Sequence, residues 1–332
     1  MQLVSDNMSH KKDILLSVIV PVYNEEEVLP IFHHRLNQVL SAIPNERFEI
    51  IYVNDGSSDD SWSVMLSLTS FCADVECLNL SRNFGKEAAM TAGIDHCKGQ
   101  TVTLLDADLQ DPPELIPKML AKWQQGFDVV NMKRTEREGE SRFKKYSADI
   151  YYKLLDHLAD VPVQRNVGDF RLISRRVIEK IKQLSEKNRY MKGILSWPGY
   201  KQTTIEFSRP RREAGTTKWS FTQLVGLALS GITAFSVKPL RLSVWAGVLI
   251  SASAFVYAFW VFIKTVWLGE AVQGYPSLML VQLFLGGVQL IAIGVCGEYI
   301  GRIFTEVKGR PSYIVMDVES KVQVVKGQQK HA

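Results

Sequence analysis

Between Leu15 and Arg134 the chain carries five short runs dense in Val, Ile and Leu: Leu15–Val22 (LLSVIVPV), Phe48–Asp55 (FEIIYVND), Val75–Leu80 (VECLNL), Thr101–Asp108 (TVTLLDAD) and Phe127–Arg134 (FDVVNMKR). Their length and β-branched content predict strands, and such nearly unbroken apolar runs suit a sheet covered on both faces. Helical patterns lie between them, near 27–41, 59–71, 86–97 and 113–125. Strand and helix in alternation predict an α/β architecture with a mostly parallel sheet and covering helices. Further along the pattern changes. Leu242–Ile263 and Ser277–Gly297 contain no charged residue, and each is long enough for the ~20 helical residues that a bilayer core demands. Just before them, Phe221, Leu224, Val225, Ala228, Ile232 and Phe235 recur at helical spacing against an uncharged polar side. That pattern predicts an amphipathic helix lying in the membrane interface.

The chain therefore divides into an α/β domain over 1–217, an interfacial helix over 218–239, two transmembrane helices within 240–303 (about 242–264 and 276–300) and a tail over 304–332. Charge adds orientation. Lys238 and Arg241 precede the first span, Arg302, Lys308 and Arg310 follow the second, and the loop KTVWLGEAVQGYP holds one Lys and one Glu. The positive-inside rule then expects both termini in the cytoplasm. ILLSVIVPV is too short and badly flanked for a signal peptide. A net charge of +4 over 332 residues does not call for a nucleic-acid partner. Cys72, Cys77, Cys97 and Cys296 lack metal-ligand spacing, so free thiols in a reducing compartment are expected. Small residues recur at Gly247, Ser251, Ala254 and Ala258 in the first span and at Gly287, Gly294 and Gly301 in the second. Such stripes let membrane helices approach closely, within one chain or between subunits.

The candidate chemistry sits at the carboxyl ends of the strands, where parallel α/β sheets bind ligands. Asn24 and Glu25 follow the first strand, Asp55 the second, and Arg82 and Asn83 the third; Asp106 and Asp108 close the fourth. In VNDGSSDDS, Ser58 or Asp59 serves the following helix as a cap, whereas Asp55 requires a ligand. LLDADLQDPPE gathers Asp106, Asp108 and Asp111, and carboxylates so close need a cation to offset their repulsion. Pro112 and Pro113 start the next helix. With no G-x-G and no G-x-x-x-x-G-K-[ST] in the chain, dinucleotide and P-loop chemistry are excluded. What remains is D-x-D, whose hard oxygens suit Mg²⁺ or Mn²⁺ bridging to substrate phosphates. If the segment is extended, both carboxylates share one face.

VPVYNEEE, VNDGSSDDS, DADLQDPPE and RREAGTTK, in that order, resemble the inverting family-two glycosyltransferases with a GT-A fold. RNFGKEAAMTAGIDH, NVGDFRLISRRV, MKGILSWPGY and GVCGEYIGRIFTEVKGRPSYIV are similar to the polyprenyl-phosphate members, closest to the bactoprenol glucosyltransferases of O-antigen modification. The resemblance covers nearly the whole chain. It implies transfer of a sugar, glucose first, from a UDP-sugar to undecaprenyl phosphate with inversion. It further implies a homo-oligomer in the bacterial inner membrane, and a flippase and a second glycosyltransferase acting downstream. By resemblance Pro21, Tyr23, Glu25 and Asp55 hold uracil and ribose, Asp106 and Asp108 hold metal and diphosphate, and Gln110 and Asp111 lie near the sugar. Arg212 and Lys218 in R-x-x-G-x-T-K would steady the leaving diphosphate. Asp169 matches the position assigned as base, either in that role or orienting Arg171. A lipid-phosphate acceptor needs cations more than a base, since its second pKa near ~6 leaves it largely dianionic. Arg134, Arg137 and Arg142 supply them, with Arg171 alongside. Other sugars on the same lipid (4-amino-4-deoxy-arabinose derivatives, mannose, N-acetylglucosamine) remain open, as does a non-catalytic anchor or lipid carrier. A processive synthase is disfavoured because Q-x-x-R-W is absent.

Overall fold

The computed structural model describes residues 13–70, 72–135, 167–184, 186, 191–195, 197–208, 236–267 and 274–321. They belong to two compact units. The first contains β1 (Ile14–Val22), α1 (Leu29–Ser41), β2 (Arg47–Asn54), α2 (Ser61–Ser67), β3 (Ala73–Leu80), α3 (Lys86–His96), β4 (Thr101–Leu104), α4 (Ile116–Gln124), β5 (Val129–Arg134), β6 (Val167–Ser174), α5 (Arg175–Lys182), the single turn α6 (Met191–Ile194) and β7 (Gln202–Phe207). The second contains α7 (Lys238–Trp267) and α8 (Tyr275–Val307). The chain then contributes β8 (Val315–Lys321) to the first unit.

One eight-stranded sheet runs in the order β7-β5-β6-β4-β1-β2-β3-β8. β1 pairs in parallel with β2 and β4, β2 with β3, and β5 with β7. β6 is antiparallel to both β4 and β5, and β8 is antiparallel to β3. The expected mostly parallel, helix-covered sheet is therefore present, with three strands, β6, β7 and β8, that the apolar pattern did not disclose. Alternation sorts the side chains. Leu16, Val18, Val20, Ile50 and Tyr52 pack on one face with Phe32, Leu36 and Met65 of α1 and α2. Ile19, Ile51 and Val53 pack on the other with Ala89, Met90 and Ile94 of α3 and Val177 and Ile181 of α5. Each fully buried Val, Leu or Ile contributes roughly 1.5–3 kcal/mol of transfer free energy. The residues of α3 from Ala88 to Ile94 are all buried, and the helix lies so close to β1 at Gly93 that an added Cβ would come within 2.3 Å of Ile19 Cγ2. That holds the N-terminus of α3 close over the strand ends.

In the second unit, Leu240–Lys264 and Val281–Val307 are long and apolar enough to cross a membrane, and neither is buried within the chain. The second helix extends beyond the expected end at 300. A Cβ at Gly247, Gly287, Gly294 or Gly301 would meet no atom within 4 Å among the described residues. These four glycines are thus not points of close contact between the two helices among the described residues. All four cysteines are free. Of the interfacial helix expected over 218–239, residues 218–235 lie outside the described residues and Lys238 and Pro239 already belong to α7; Arg137, Arg142, Arg212 and Lys218 also lie outside the described residues.

Candidate active site

The site is assembled from loops at the carboxyl ends of the parallel strands. Two of these loops are latched to each other. Asn24, with φ 54°, donates its amide to Ser57 Oγ (3.0 Å), and its side-chain oxygen accepts the Ser58 amide (2.8 Å). The Glu25 amide donates to Ser61 Oγ (2.9 Å), the Glu26 amide to the Asp59 carboxylate (3.2 Å) and the Asp60 amide to the Glu26 carboxylate (2.8 Å). Asp59 also accepts the Ser61 amide (3.1 Å) in an Asx turn just before α2, but the residue at the cap position is Asp60, which makes no side-chain cap bond, so the cap expected from Ser58 or Asp59 is not formed. Pro21 is half-buried at the end of β1, and Tyr23 beside it is 50% exposed.

Asp55 is buried and takes a role that the sequence did not indicate. Its carboxylate accepts the amides of Phe84 (2.8 Å) and Gly85 (3.0 Å). Burial raises its pKa, and the two amide bonds only partly oppose this. Gly56 makes the approach possible: at φ 65°, its Cβ would come within 2.4 Å of the Arg82 carbonyl carbon. Asp55 thereby fixes the turn that launches α3, so a ligand is no longer its only justification.

The first residue of α3 is Lys86. A cation at a helix N-terminus is unfavourable on its own, and two carboxylates reverse that. Lys86 Nζ lies 2.6 Å from Asp106 Oδ1 and 2.8 Å from Asp169 Oδ2. Burial lowers the lysine pKa, but Asp106 and Asp169 outweigh it and the net shift is upward, so the ammonium is charged. Within the protein, Lys86 is a cation that offsets the clustered acids, a role the sequence reading did not give it. Its signal was in RNFGKEAAMTAGIDH, but nothing in the linear order pairs position 86 with 106 and 169.

A second ion pair joins the end of β5 to the loop that follows β4. Arg134 ends β5, and its Nη2 stands 3.7 Å from Asp111 Oδ1, whose side chain is 1% exposed. A Cβ on Gly168 would come within 2.6 Å of Arg134 Nη2; the bare glycine lets the guanidinium lie against β6 immediately before Asp169. The structure thus brings Asp106 and Asp169 together through Lys86, and Asp111 together with Arg134. Arg171 differs from expectation. It is 2% exposed and donates to the Gly168 carbonyl (2.8 Å). At that burial it braces the Gly168 segment and is poorly placed to meet an incoming lipid phosphate.

The D-x-D segment is not extended. β4 stops at Leu104, residues 107–109 turn, and Leu109 has φ 59°, an uncommon conformation for a branched residue. The turn lets Asp108 Oδ1 accept the Gln110 amide (3.1 Å) and buries Gln110. Strand alternation therefore does not set the relation of Asp106 to Asp108. Among the described residues no group of three or more His, Cys, Asp or Glu is arranged to hold a metal. A pair of carboxylates still fits Mg²⁺ or Mn²⁺, ions that take one or two protein carboxylates and complete their shells with phosphate oxygens and water.

Residues 17–182 match the family model Glycosyl transferase family 2, and residues 238–303 match the GtrB C-terminal hairpin. The chain belongs to glycosyl transferase family 2. This glycosyltransferase is 47% identical over 300 residues to the SfII prophage-derived bactoprenol glucosyl transferase of Shigella flexneri, covering 90% of this chain and 97% of that one. It is 46% identical over 305 residues to an uncharacterized glycosyltransferase of Synechocystis sp., covering 92% and 96%. Among solved structures it is similar to mannosyl-3-phosphoglycerate synthase from Rubrobacter xylanophilus, with a TM-score of 0.46 and 16% identity over 65% of this chain and 71% of that one. The glycosyltransferase associates with membranes through its two apolar helices.

Proposed function

We propose that this glycosyltransferase transfers glucose from UDP-glucose to undecaprenyl phosphate, with inversion, at the cytoplasmic face of a bacterial inner membrane. The observation that carries the reading is the joining, in one chain, of two features. One is a family-two sheet with Asp106, Asp111, Arg134 and Asp169 gathered at its strand ends; the other is a GtrB-type hairpin. Tyr23, half-exposed at the end of β1, offers a ring for the uracil, with Pro21, Glu25 and the Asp55 turn around the ribose. Asp106 and Asp108 would hold Mg²⁺ or Mn²⁺, which supplies charge neutralisation for the departing diphosphate. By family resemblance Gln110 and Asp111 would lie near the sugar.

In this reading a phosphate oxygen of the lipid forms a bond to the anomeric carbon while the bond from that carbon to UDP breaks. The acceptor is already largely dianionic at neutral pH, its second pKa being near ~6, so no proton must be removed. Arg134 holds and orients it. Asp169, bonded through Oδ2 to Lys86, orients the cluster and does not act as a base. Arg137 and Arg142 would join Arg134 on the lipid phosphate, and by family resemblance Arg212 and Lys218 would steady the leaving diphosphate. The positive residues flanking both spans favour cytoplasmic termini.

The test is UDP release by the purified protein in lipid nanodiscs, with and without undecaprenyl phosphate, across a panel of UDP-sugars and with EDTA as a control. Release that depends on the lipid phosphate, is fastest with UDP-glucose and is lost with EDTA is expected. Release that ignores the lipid overturns the acceptor, and a faster rate with another sugar overturns the donor.

A further inference from the structure

Three residues from different parts of the chain occupy one row across the sheet. Asn54 on β2 is the register partner of Asn79 on β3, and Asn79 is the register partner of Asp317 on β8. Their side chains are bonded in sequence. Asn79 Nδ2 donates to Asp317 Oδ2 (3.1 Å), Asn54 Nδ2 donates to Asn79 Oδ1 (2.8 Å), and Asn54 Oδ1 accepts the Ser57 amide (3.1 Å). Asn54 and Asn79 are 3% and 7% exposed, so their amides depend on these partners. The row ends at the turn that carries Asp55 and Gly56 and that Ser57 and Ser58 latch to Asn24.

The direction of the chain follows from chemistry. An ionised carboxylate only accepts hydrogen bonds, whereas a primary amide presents a donor on one side and an acceptor on the other. Asp317 therefore obliges Asn79 to turn its NH₂ outward and its oxygen inward. That oxygen obliges Asn54 to do the same, and the Asn54 oxygen then faces the Ser57 N–H. Aligned bonds of this kind polarise one another. One carboxylate on an edge strand thus sets the orientation of two buried amides and the acceptor at the turn. Asp317 follows the membrane hairpin in the chain, and Asn79 is reached across 238 positions of sequence.

We propose that Asp317 is a positioning residue for the donor nucleotide, acting through Asn79 and Asn54 to hold the Asn54–Ser58 turn. The proposal rests on the functional reading above, in which the Asp55 turn borders the ribose. It gives the strand after the hairpin a part in donor binding that sheet-edge protection alone would not.

The experiment compares the full-length wild type in nanodiscs with Asp317→Ala, Asp317→Asn, Asn79→Ala and, as a same-strand control, Glu319→Ala. Two quantities are read: hydrogen exchange at the Ser57 amide without substrate, and KM for UDP-glucose and for undecaprenyl phosphate. Asp317→Ala and Asn79→Ala are expected to speed exchange at Ser57. They should also raise the donor KM by about threefold to tenfold, the scale of one charge-assisted hydrogen bond, with the lipid-phosphate KM unchanged. Asp317→Asn should fall between, because an amide can accept the same bond but does not enforce its direction. Glu319→Ala should match wild type. Unchanged exchange in Asp317→Ala overturns the relay whatever the substrates are. Faster exchange with both KM values unchanged, or raised equally, overturns the donor role. A wild type that shows no UDP-glucose turnover overturns the functional reading instead, and the exchange comparison still decides the relay.

Discussion

Replacing Lys86 with Met removes the ammonium and keeps the length of the side chain. In the wild type that ammonium bonds Asp106 and Asp169 at 2.6 and 2.8 Å. Two oxygens bonded to one nitrogen lie within about 5 Å of each other, where unit charges repel by about 3 kcal/mol at an effective dielectric constant of 20. Lys86 is 42% exposed, and screening by water reduces this to about 1–2 kcal/mol. Without divalent metal, Lys86→Met should lower the midpoint of thermal unfolding by about 5 °C, given ~2–4 °C per kcal/mol for a domain of this size. The loss should shrink in 1 M salt, where the screening length is only about 3 Å. Removing one of the repelling charges should restore most of the loss, so Lys86→Met with Asp169→Asn should be more stable than Lys86→Met alone. Differential scanning fluorimetry of the four members of the cycle, at low and high salt, measures the coupling directly. A double variant no more stable than the single one would refute the claim that Lys86 offsets these acids.

Asp108→Asn should lower turnover by about 10² or more while the protein keeps its thermal midpoint, checked by UDP release at saturating Mg²⁺ and by scanning fluorimetry. Gly168→Ala should raise the KM for undecaprenyl phosphate and leave that for UDP-glucose unchanged, because the new Cβ would lie 2.6 Å from Arg134 Nη2 and displace the guanidinium; initial rates against each substrate separate the two. Asp128 is buried and bonded to Arg176 and to Ser174 Oγ. Burial raises its pKa, the bonds to Arg176 and Ser174 lower it more, and the net shift is downward. Its stabilisation is therefore complete above the unfolded carboxylate pKa near ~4 and is lost as pH falls through the lower folded value. Asp128→Asn should flatten the fall of the thermal midpoint below about pH 4, read by unfolding scans across that range.

The five apolar strands were legible because a sheet buried on both faces leaves nearly continuous Val, Ile and Leu runs. β6 was not, because VGDFRLIS places Asp169 and Arg171 inside the strand and breaks the run. β7 and β8 are edge strands, and their exposed positions carry polar and charged residues such as Glu206, Asp317 and Glu319, the composition that protects sheet edges from pairing with other chains. The acids of DADLQDPPE announced a need for a cation, yet Lys86 could be found only once α3 was laid over β4 and β6. The extended geometry expected for Asp106 and Asp108 failed because the strand gives way to a turn, with Leu109 at positive φ. Nothing in the linear order links Asn54 and Asn79 with Asp317; only the strand register places them in one row.

The proposed reaction places one hexose on a polyprenyl phosphate. Mass spectrometry of the lipid extracted after incubating the purified protein with UDP-glucose, Mg²⁺ and undecaprenyl phosphate tests it most directly. A single new species heavier than undecaprenyl phosphate by one hexose residue, absent with Asp108→Asn, is expected. A ladder of longer glycans, a lipid carrying the sugar through a diphosphate, or no sugar on the lipid at all would contradict it.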